Sequence, residues 1–326
     1  MKKFFKITCL YICIFFSNNI LSKTLNKQNN RPVNKHDKVM SISIPKSGTH
    51  LLLKCLTLFN DKKLSYNYNY STKPSPQDLV KIRESNKHKP PLHYTGLFDI
   101  SKMGPLPEGV IHRIENLHTK KLFWTHWFYT HEFENYLHNH TYANFLIIRD
   151  PRDMVVSFAQ MIQKRPENHP DLHINQQEIS LENIITDLIT GNKQYYVPWG
   201  VEIQQTYPML WDLGLYNFYQ RYIPWAQAKN FLVVRFEELV GHHGGGSSEK
   251  QIQTIKKIGA HLGIVTTEQV TNDIIQKLFG GTSTFREGQI GSWKNSFTPT
   301  IKEIFKQDAR LLQLLIDLGY EQDTNW

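Results

Sequence analysis

Short apolar runs alternate with longer amphipathic segments along the chain, and the two patterns predict different elements. Each apolar run is rich in β-branched or aromatic residues and is bounded by charged or turn-forming residues, which is typical of buried parallel strands. The runs lie at 38–44, 121–126, 144–149 and 230–236. Helical periodicity is found at 50–59, 151–163, 181–190, 212–228, 249–262 and 300–318. The alternation predicts a single α/β domain with a central parallel sheet flanked by helices.

Two long inserts interrupt this alternation, at about 60–120 and 164–211. The first is rich in Tyr, Asn, Pro and Lys, and the second contains KRPENHPDLH and NKQYYVPWG. Inserts of this length in a compact α/β domain usually carry function or are mobile. Their Tyr and Trp side chains either line a ligand pocket or pack the inserts onto the core.

The N-terminal residues differ in composition from the rest of the chain. Residues 1–23 combine lysines with an apolar run from Ile7 to Phe16, a pattern typical of a secretory signal or a short anchor. Residues 24–37 form a polar linker, so the predicted domain spans 38–322. Export or membrane association through the N-terminus is the first interpretation. A cytoplasmic protein with an apolar N-terminal arm, or with a start codon placed too early, is the alternative.

The positive charge is concentrated in the same N-terminal part of the chain. Of the net charge of +9, residues 1–38 contribute +7 and the remainder +2. The predicted domain therefore has no broad positive field, which argues against a nucleic-acid partner. The 3 cysteines form no CxxC pair, which argues against a zinc-thiolate site or a disulfide framework. Cys55 is expected to be a small buried apolar residue.

The segment SISIPKSGTHLLLKCL changes from a strand pattern to a helix pattern within a few residues. Pro45 keeps the preceding residue extended, and Gly48 allows a close approach to the backbone. The N–H groups of the following helix, with Lys46 and the hydroxyls of Ser47 and Thr49, would make a cradle for phosphate or sulfate. An ordinary strand-to-helix turn is the alternative.

This loop is not a Walker A motif, in which the lysine follows the second glycine. Lys46 instead precedes Gly48, and the strand at 144–149 ends in Arg149 rather than in an acid that could hold magnesium. A nucleotide or small-molecule kinase is therefore the less favoured interpretation. The predicted anion site requires no metal.

A second motif, LIIRDPRDMVVSFAQ, adds groups that folding does not require. Asp150, Pro151 and Asp153 suit the start of a helix and are interpreted as structural. Arg149 ends a buried strand, at the edge where α/β sheets bind ligands, and Ser157 lies on the following helix. A guanidinium and a hydroxyl suit a terminal phosphate.

A third motif, TSTFREGQIGSWKNSFT, places another cation and two glycines in a predicted loop between helices. The cation is Arg286, and the glycines are Gly288 and Gly291. The composition indicates a lid that contributes a further phosphate-binding group.

Together, PKSGT, RDPRDMVVS and FREGQIGSWKNSFT, in this order, resemble the sulfotransferases that use 3′-phosphoadenosine 5′-phosphosulfate (PAPS). VVRFEELVG is similar to a further segment of that family, and the resemblance covers about residues 38–320. It implies a P-loop-like phosphosulfate-binding loop in an α/β domain. It also implies transfer of a sulfuryl group from PAPS, as co-substrate, to a hydroxyl or amine of a small molecule, glycan or lipid.

The resemblance assigns the motif residues to the two ends of PAPS. Those at the 5′-phosphosulfate are Lys46, Ser47, Gly48, Thr49 and, beside them, His50. Those at the 3′-phosphate are Arg149, Ser157, Arg286 and the backbone near Gly288. His126, in WTHW, matches the family's catalytic histidine, and Lys46 would neutralise charge on the leaving phosphate. His50 is the second candidate for the base.

Three positions depart from the family pattern. Leu51 stands where an aromatic residue often holds adenine, so Phe236 is predicted to stack on the base instead. Glu287 replaces a lysine near the phosphate, and Trp124 replaces a lysine two positions before the histidine. A degenerate, non-catalytic protein that binds a nucleotide or glycan is therefore the alternative function.

Other histidines surround the proposed base in sequence, at 112, 118, 131, 138 and 140. A zinc cluster would need imidazoles at a tight spacing such as HxxxH, and these histidines do not form one. We therefore predict no metal ligand among them.

Overall fold

Strands of nearly continuous apolar sequence form the centre of the molecule. The computed structural model describes residues 38–59, 110–115, 122–140, 142–163, 173–174, 180–191, 196–197, 210–281 and 287–326. The strands are β1 (Lys38–Ser43), β2 (Leu122–Thr125), β3 (Tyr142–Ile148), β4 (His173–Ile174), β5 (Tyr196–Val197) and β6 (Phe231–Arg235). The first three and β6 make a parallel sheet in the order β2-β1-β3-β6, while β4 and β5 form a separate antiparallel pair.

Helices cover both faces of this sheet. The α-helices described are α1 (Thr49–Leu58), α2 (Val110–Glu115), α3 (His131–Asn139), α4 (Pro151–Gln163), α5 (Leu181–Thr190), α6 (Leu210–Gln220), α7 (Phe236–Leu239), α8 (Ser248–His261), α9 (Glu268–Leu278), α10 (Trp293–Ser296), α11 (Pro299–Gln307) and α12 (Ala309–Asp317). Short 3₁₀ turns lie at Ile223–Ala226 and His242–Gly244. The chain thus forms one α/β domain with a central parallel sheet, as the alternation of patterns predicts.

The core has two parts because side chains alternate between the faces of a strand. Met40, Leu146 and Ile148 face one cluster, which includes residues of α4, α5, α6, α11 and α12. Val39 and Ile147 face the other, which includes residues of α1, α8 and α9. Cys55 is fully buried in this second cluster, so its prediction as a small apolar residue is confirmed.

Two predicted helices are shorter in the structure than the sequence suggests. The segment 300–318 is split at Asp308, whose carboxylate accepts the N–H of Arg310 and starts α12. An Asp side chain that caps a new helix competes with continuation of the preceding one. The segment 212–228 ends as an α-helix at Gln220 and continues as the 3₁₀ turn that contains Pro224.

The N-terminal segments 1–23 and 24–37 lie outside the described residues, so export or anchoring stays a prediction. Most of the two inserts also lies outside them. Within the part of the chain that the structure describes, no helix has the length and apolar content of a membrane span.

The sheet supplies a matched test of core packing. Val39 in β1 is 1% exposed and Val265 is 87% exposed. We expect Val39→Ala to lower the free energy of unfolding by about 2 kcal/mol, because it removes two buried methyl groups and leaves a cavity. Val265→Ala should change it by less than about 0.5 kcal/mol. Urea unfolding measures both, and equal effects would contradict this assignment of the core.

Candidate functional site

The ends of the four parallel strands define the site. Their carboxyl ends lie at one edge of the sheet, and each is followed directly by a residue of the predicted site or by the loop that carries one. The loop of Lys46 follows β1, His126 follows β2, Arg149 follows β3 and Phe236 follows β6. The strand order reverses between β1 and β3, and ligands of open α/β sheets bind at such a switch point.

The loop between β1 and α1 has the backbone shape of an anion cradle. Gly48 precedes α1 with φ at 99°, and no side chain caps the helix there. A Cβ at this position would lie 2.7 Å from Cδ2 of Phe236, so glycine is required by both space and conformation. The first N–H groups of α1, from Thr49 onward, have no acceptor within the helix. They and the positive end of the helix dipole favour an anion at this point.

Lys46 is the cation of this loop, and its backbone is also in the left-handed region, with φ at 66°. Its Nζ lies 3.8 Å from the sulfur of Met161, in α4. Its carbonyl oxygen accepts a hydrogen bond from Nη1 of Arg149 at 3.4 Å. The loop after β1 and the residue after β3 are therefore in direct contact across the switch point.

His126 is held by the last residue of β1. Its Nδ1 lies 2.8 Å from the carbonyl oxygen of Ser43 and 3.0 Å from the hydroxyl of the same residue. Because a carbonyl oxygen can only accept, Nδ1 carries the proton, and Nε2 of the neutral ring is left as the basic nitrogen. The Ser43 hydroxyl lies 2.9 Å from the hydroxyl of Thr49, which connects the histidine to the cradle. Ser43 was not among the predicted site residues.

Burial and neighbouring positive charge keep both candidate bases neutral at pH 7. Burial lowers the pKa of His126 to about 4; the hydrogen bond to Ser43 opposes this shift, and the positive charge of Lys46 adds a smaller lowering. Burial, then His126 and Lys46, also lower the pKa of His50 to about 4. The Trp124 ring contacts both imidazoles, with centroid distances of 5.4 Å to His126 and 6.1 Å to His50.

Arg149 is fixed in place by contacts on several sides. Its guanidinium lies 4.3 Å above the ring of Phe236, and Nη2 donates to the carbonyl of Gln289 at 2.7 Å. Tyr219 donates to its backbone carbonyl at 2.5 Å. Its Nε is buried and has no hydrogen-bond partner among the described residues. The side chain is thus preorganised and retains an unused donor.

The structure places the remaining predicted residues as follows. Ser157 lies on α4, one turn after Asp153. Gly288 belongs to the segment 287–293, which packs on the 242–244 turn, and Arg286 lies outside the described residues. Phe236 is 5% exposed and packs between Gly48 and Arg149, so its contact with adenine stays a prediction.

The interpretation of Asp153 as a local helix cap is wrong. The Asp153 carboxylate was expected to cap its own helix, but it accepts the N–H groups of Gly291 and Trp293, at 2.8 Å and 2.9 Å. These partners lie 138 and 140 residues away in the chain. A motif read locally gives no signal of such a contact. Among the described residues, no group of three or more His, Cys, Asp or Glu is arranged to hold a metal.

Comparisons with known proteins give the family and the fold. A family model described as Sulfotransferase domain matches residues 36–280, more than half of the chain. The crystal structure of mouse sulfotransferase SULT7A1 complexed with PAP superposes with a TM-score of 0.52 at 15% identity, over 93% of this chain and 90% of that one. The crystal structure of retinol dehydratase in complex with androsterone and inactive cofactor PAP superposes with a TM-score of 0.47 at 15% identity, over 92% of this chain and 84% of that one. No curated protein matches the chain in sequence.

The lowered histidine pKa values predict a pH-dependent stability. Both folded-state pKa values, about 4, lie below the ordinary value of 6.5, so the unfolded chain binds more protons between these limits. The free energy of unfolding should therefore fall as the pH is lowered from about 6.5 to about 4. The double variant His50→Gln, His126→Gln should lose less stability than the wild type over this range.

Urea unfolding at a series of pH values measures this difference, with His131→Gln as the control at an exposed histidine. Parallel curves for the wild type and the double variant would show that the two imidazoles are not held neutral by the fold.

Proposed function

The chain belongs to the sulfotransferase domain family, and we propose that it transfers a sulfuryl group from PAPS to a hydroxyl or amine acceptor. The observation that carries the proposal is the contact between the two anion-binding segments at one switch point: Arg149 donates to the carbonyl of Lys46. A single ligand with an anion at each end could therefore contact both. PAP, which neighbouring structures contain, is PAPS without its sulfuryl group.

The described residues fit PAPS in two respects. The first N–H groups of α1, which have no acceptor within the helix, and the Lys46 ammonium suit the 5′-phosphosulfate. The buried, unpartnered Nε of Arg149 suits the 3′-phosphate, with Ser157 on the adjoining helix and the backbone near Gly288. The family resemblance adds Arg286 to this second group.

In the proposed reaction, the acceptor oxygen forms a bond to sulfur while the bond from sulfur to the phosphate oxygen breaks. His126 takes the hydroxyl proton at Nε2, which its hydrogen bond to Ser43 leaves unprotonated. Lys46 neutralises the charge that develops on the departing phosphate oxygen. The protein fixes both reactants, so much of the rate enhancement comes from their orientation.

One described residue beside the base bears on the class of acceptor. Trp124, which the family resemblance places where a lysine is often found, contacts the ring of His126. An aromatic side chain beside the base favours an acceptor with an apolar surface near its hydroxyl over a highly charged one. A phenol, sterol-like alcohol or lipid fits this description better than a polyanionic glycan.

The test is transfer of labelled sulfate from PAPS to a panel of phenols, alcohols, sugars and lipids. With an acceptor that the wild type sulfates, His126→Ala should reduce turnover by about a hundredfold or more, because the general base is lost. PAP affinity, measured by calorimetry, should remain close to that of the wild type.

The matched control is His131→Ala, which removes an exposed imidazole and should leave turnover unchanged. Near-normal turnover of folded His126→Ala would remove this residue from the mechanism, and a selective loss in His50→Ala would identify His50 as the base. Absence of transfer by the wild type, with intact PAP binding, would favour the non-catalytic alternative.

A further inference from the structure

A buried acid lies beside the cation that is assigned to the 3′-phosphate. Asp153 is 1% exposed, and its Oδ2 lies 3.7 Å from Nη2 of Arg149. A carboxylate at an anion-binding site opposes binding by charge alone. The role of Asp153 must therefore come from the contacts that its position allows and not from attraction of the anion.

The contacts of Asp153 provide such a role. Each of its two oxygens accepts one backbone N–H from the segment 287–293, at Gly291 and at Trp293. Two charge-assisted hydrogen bonds from one buried carboxylate fix both the position and the direction of that segment. Gly288, to which the family resemblance assigns a phosphate contact, lies three residues before the first of these N–H groups.

The same segment is also held from its other side. Gln289 donates from its amide to the carbonyl of His243 at 2.9 Å, and Ile290 donates its N–H to the carbonyl of Gly244 at 2.9 Å. The carbonyl of Gln289 in turn accepts the Nη2 of Arg149. Segment 287–293 therefore lies between the 242–244 turn and Asp153. Arg149 contacts the segment at Gln289 and also pairs with Asp153.

Helical spacing places Ser157, the remaining described residue predicted to bind the 3′-phosphate, near Asp153. Asp153 and Ser157 are four residues apart in α4, so they lie on the same face of the helix, one turn apart. The segment that docks on Asp153 consequently lies against the face that carries Ser157. Arg149 and Ser157 belong to one motif and the backbone near Gly288 to another, and Asp153 contacts both Arg149 and the segment that contains Gly288.

We propose that Asp153 is a positioning residue for recognition of the 3′-phosphate: it holds segment 287–293 and the Arg149 guanidinium in the arrangement that binds this group. The proposal rests on the proposed function. Because Asp153 offsets part of the charge of Arg149, binding depends on several donors in fixed positions rather than on one cation. Such a site favours a phosphate monoester, with its several acceptor oxygens, over a free hydroxyl.

The test compares PAP with AMP, which has the same 5′-phosphate but a hydroxyl in place of the 3′-phosphate. Calorimetry gives the affinity of each for the wild type, Asp153→Ala and Asp153→Asn. In Asp153→Ala we expect PAP affinity to fall about tenfold or more and AMP affinity to change by less than about twofold. Asp153→Asn, which keeps one acceptor oxygen, should fall between Asp153→Ala and the wild type.

The matched control is Asp308→Ala. Asp308 also accepts a backbone N–H and pairs with an arginine, both of Arg310, but it starts α12 and contacts none of the residues assigned to PAPS. The Asp308→Ala variant should be less stable than the wild type, and its preference for PAP over AMP should be unchanged. Thermal unfolding shows which variants are folded, and Asp153→Asn decides the result if Asp153→Ala does not fold.

The outcomes separate this proposal from the proposed function. A wild type that does not prefer PAP to AMP would refute PAPS as the co-substrate. A wild type with the preference, together with folded Asp153 variants that keep it, would refute only the role of Asp153. Equal losses of PAP and AMP affinity would show a general structural role and would also overturn this inference.

Discussion

The site depends on one constraint of parallel sheets: strands that are buried on both faces can expose side chains to a ligand only where they end. In β1, β2, β3 and β6 the carboxyl ends fall at a single edge, and the chain places its reactive groups directly after them. The contact between Arg149 and the carbonyl of Lys46 crosses the gap between β1 and β3. Segments about a hundred residues apart in sequence therefore meet without any specialised linker.

Burial at this edge also sets the chemistry of the histidines. A protonated imidazole would be poorly solvated there and would lie near the Lys46 ammonium, so the neutral ring is favoured. The Ser43 carbonyl then determines which nitrogen carries the proton. The position that lowers the pKa of His126 thus also leaves Nε2 free to act as a base. The same residue links the base to the cradle through its contact with Thr49.

Much of the fold follows from local sequence patterns, whereas the contacts within the site do not. The apolar runs predict all four strands of the main sheet to within two residues, and the start of α4 at Pro151 follows from its capping residues. Local signals also exist for α3 and α9, because Thr130 and Thr267 each cap the helix that follows. By contrast, Ser43 and His126 are 83 residues apart, and Asp153 and Gly291 are 138 apart. Periodicity carries no information on such pairs, and Asp153 was therefore interpreted as a local cap.

A crystal structure of the protein with PAP would show whether one ligand occupies both anion-binding segments. We expect one PAP molecule in the crevice between β1 and β3, with its 5′-phosphate at the N–H groups that begin α1. Its 3′-phosphate should lie within hydrogen-bond distance of Arg149 and Ser157. A PAP molecule that contacts only one of these two segments, or that lies elsewhere on the protein, would show that they do not form a single PAPS site.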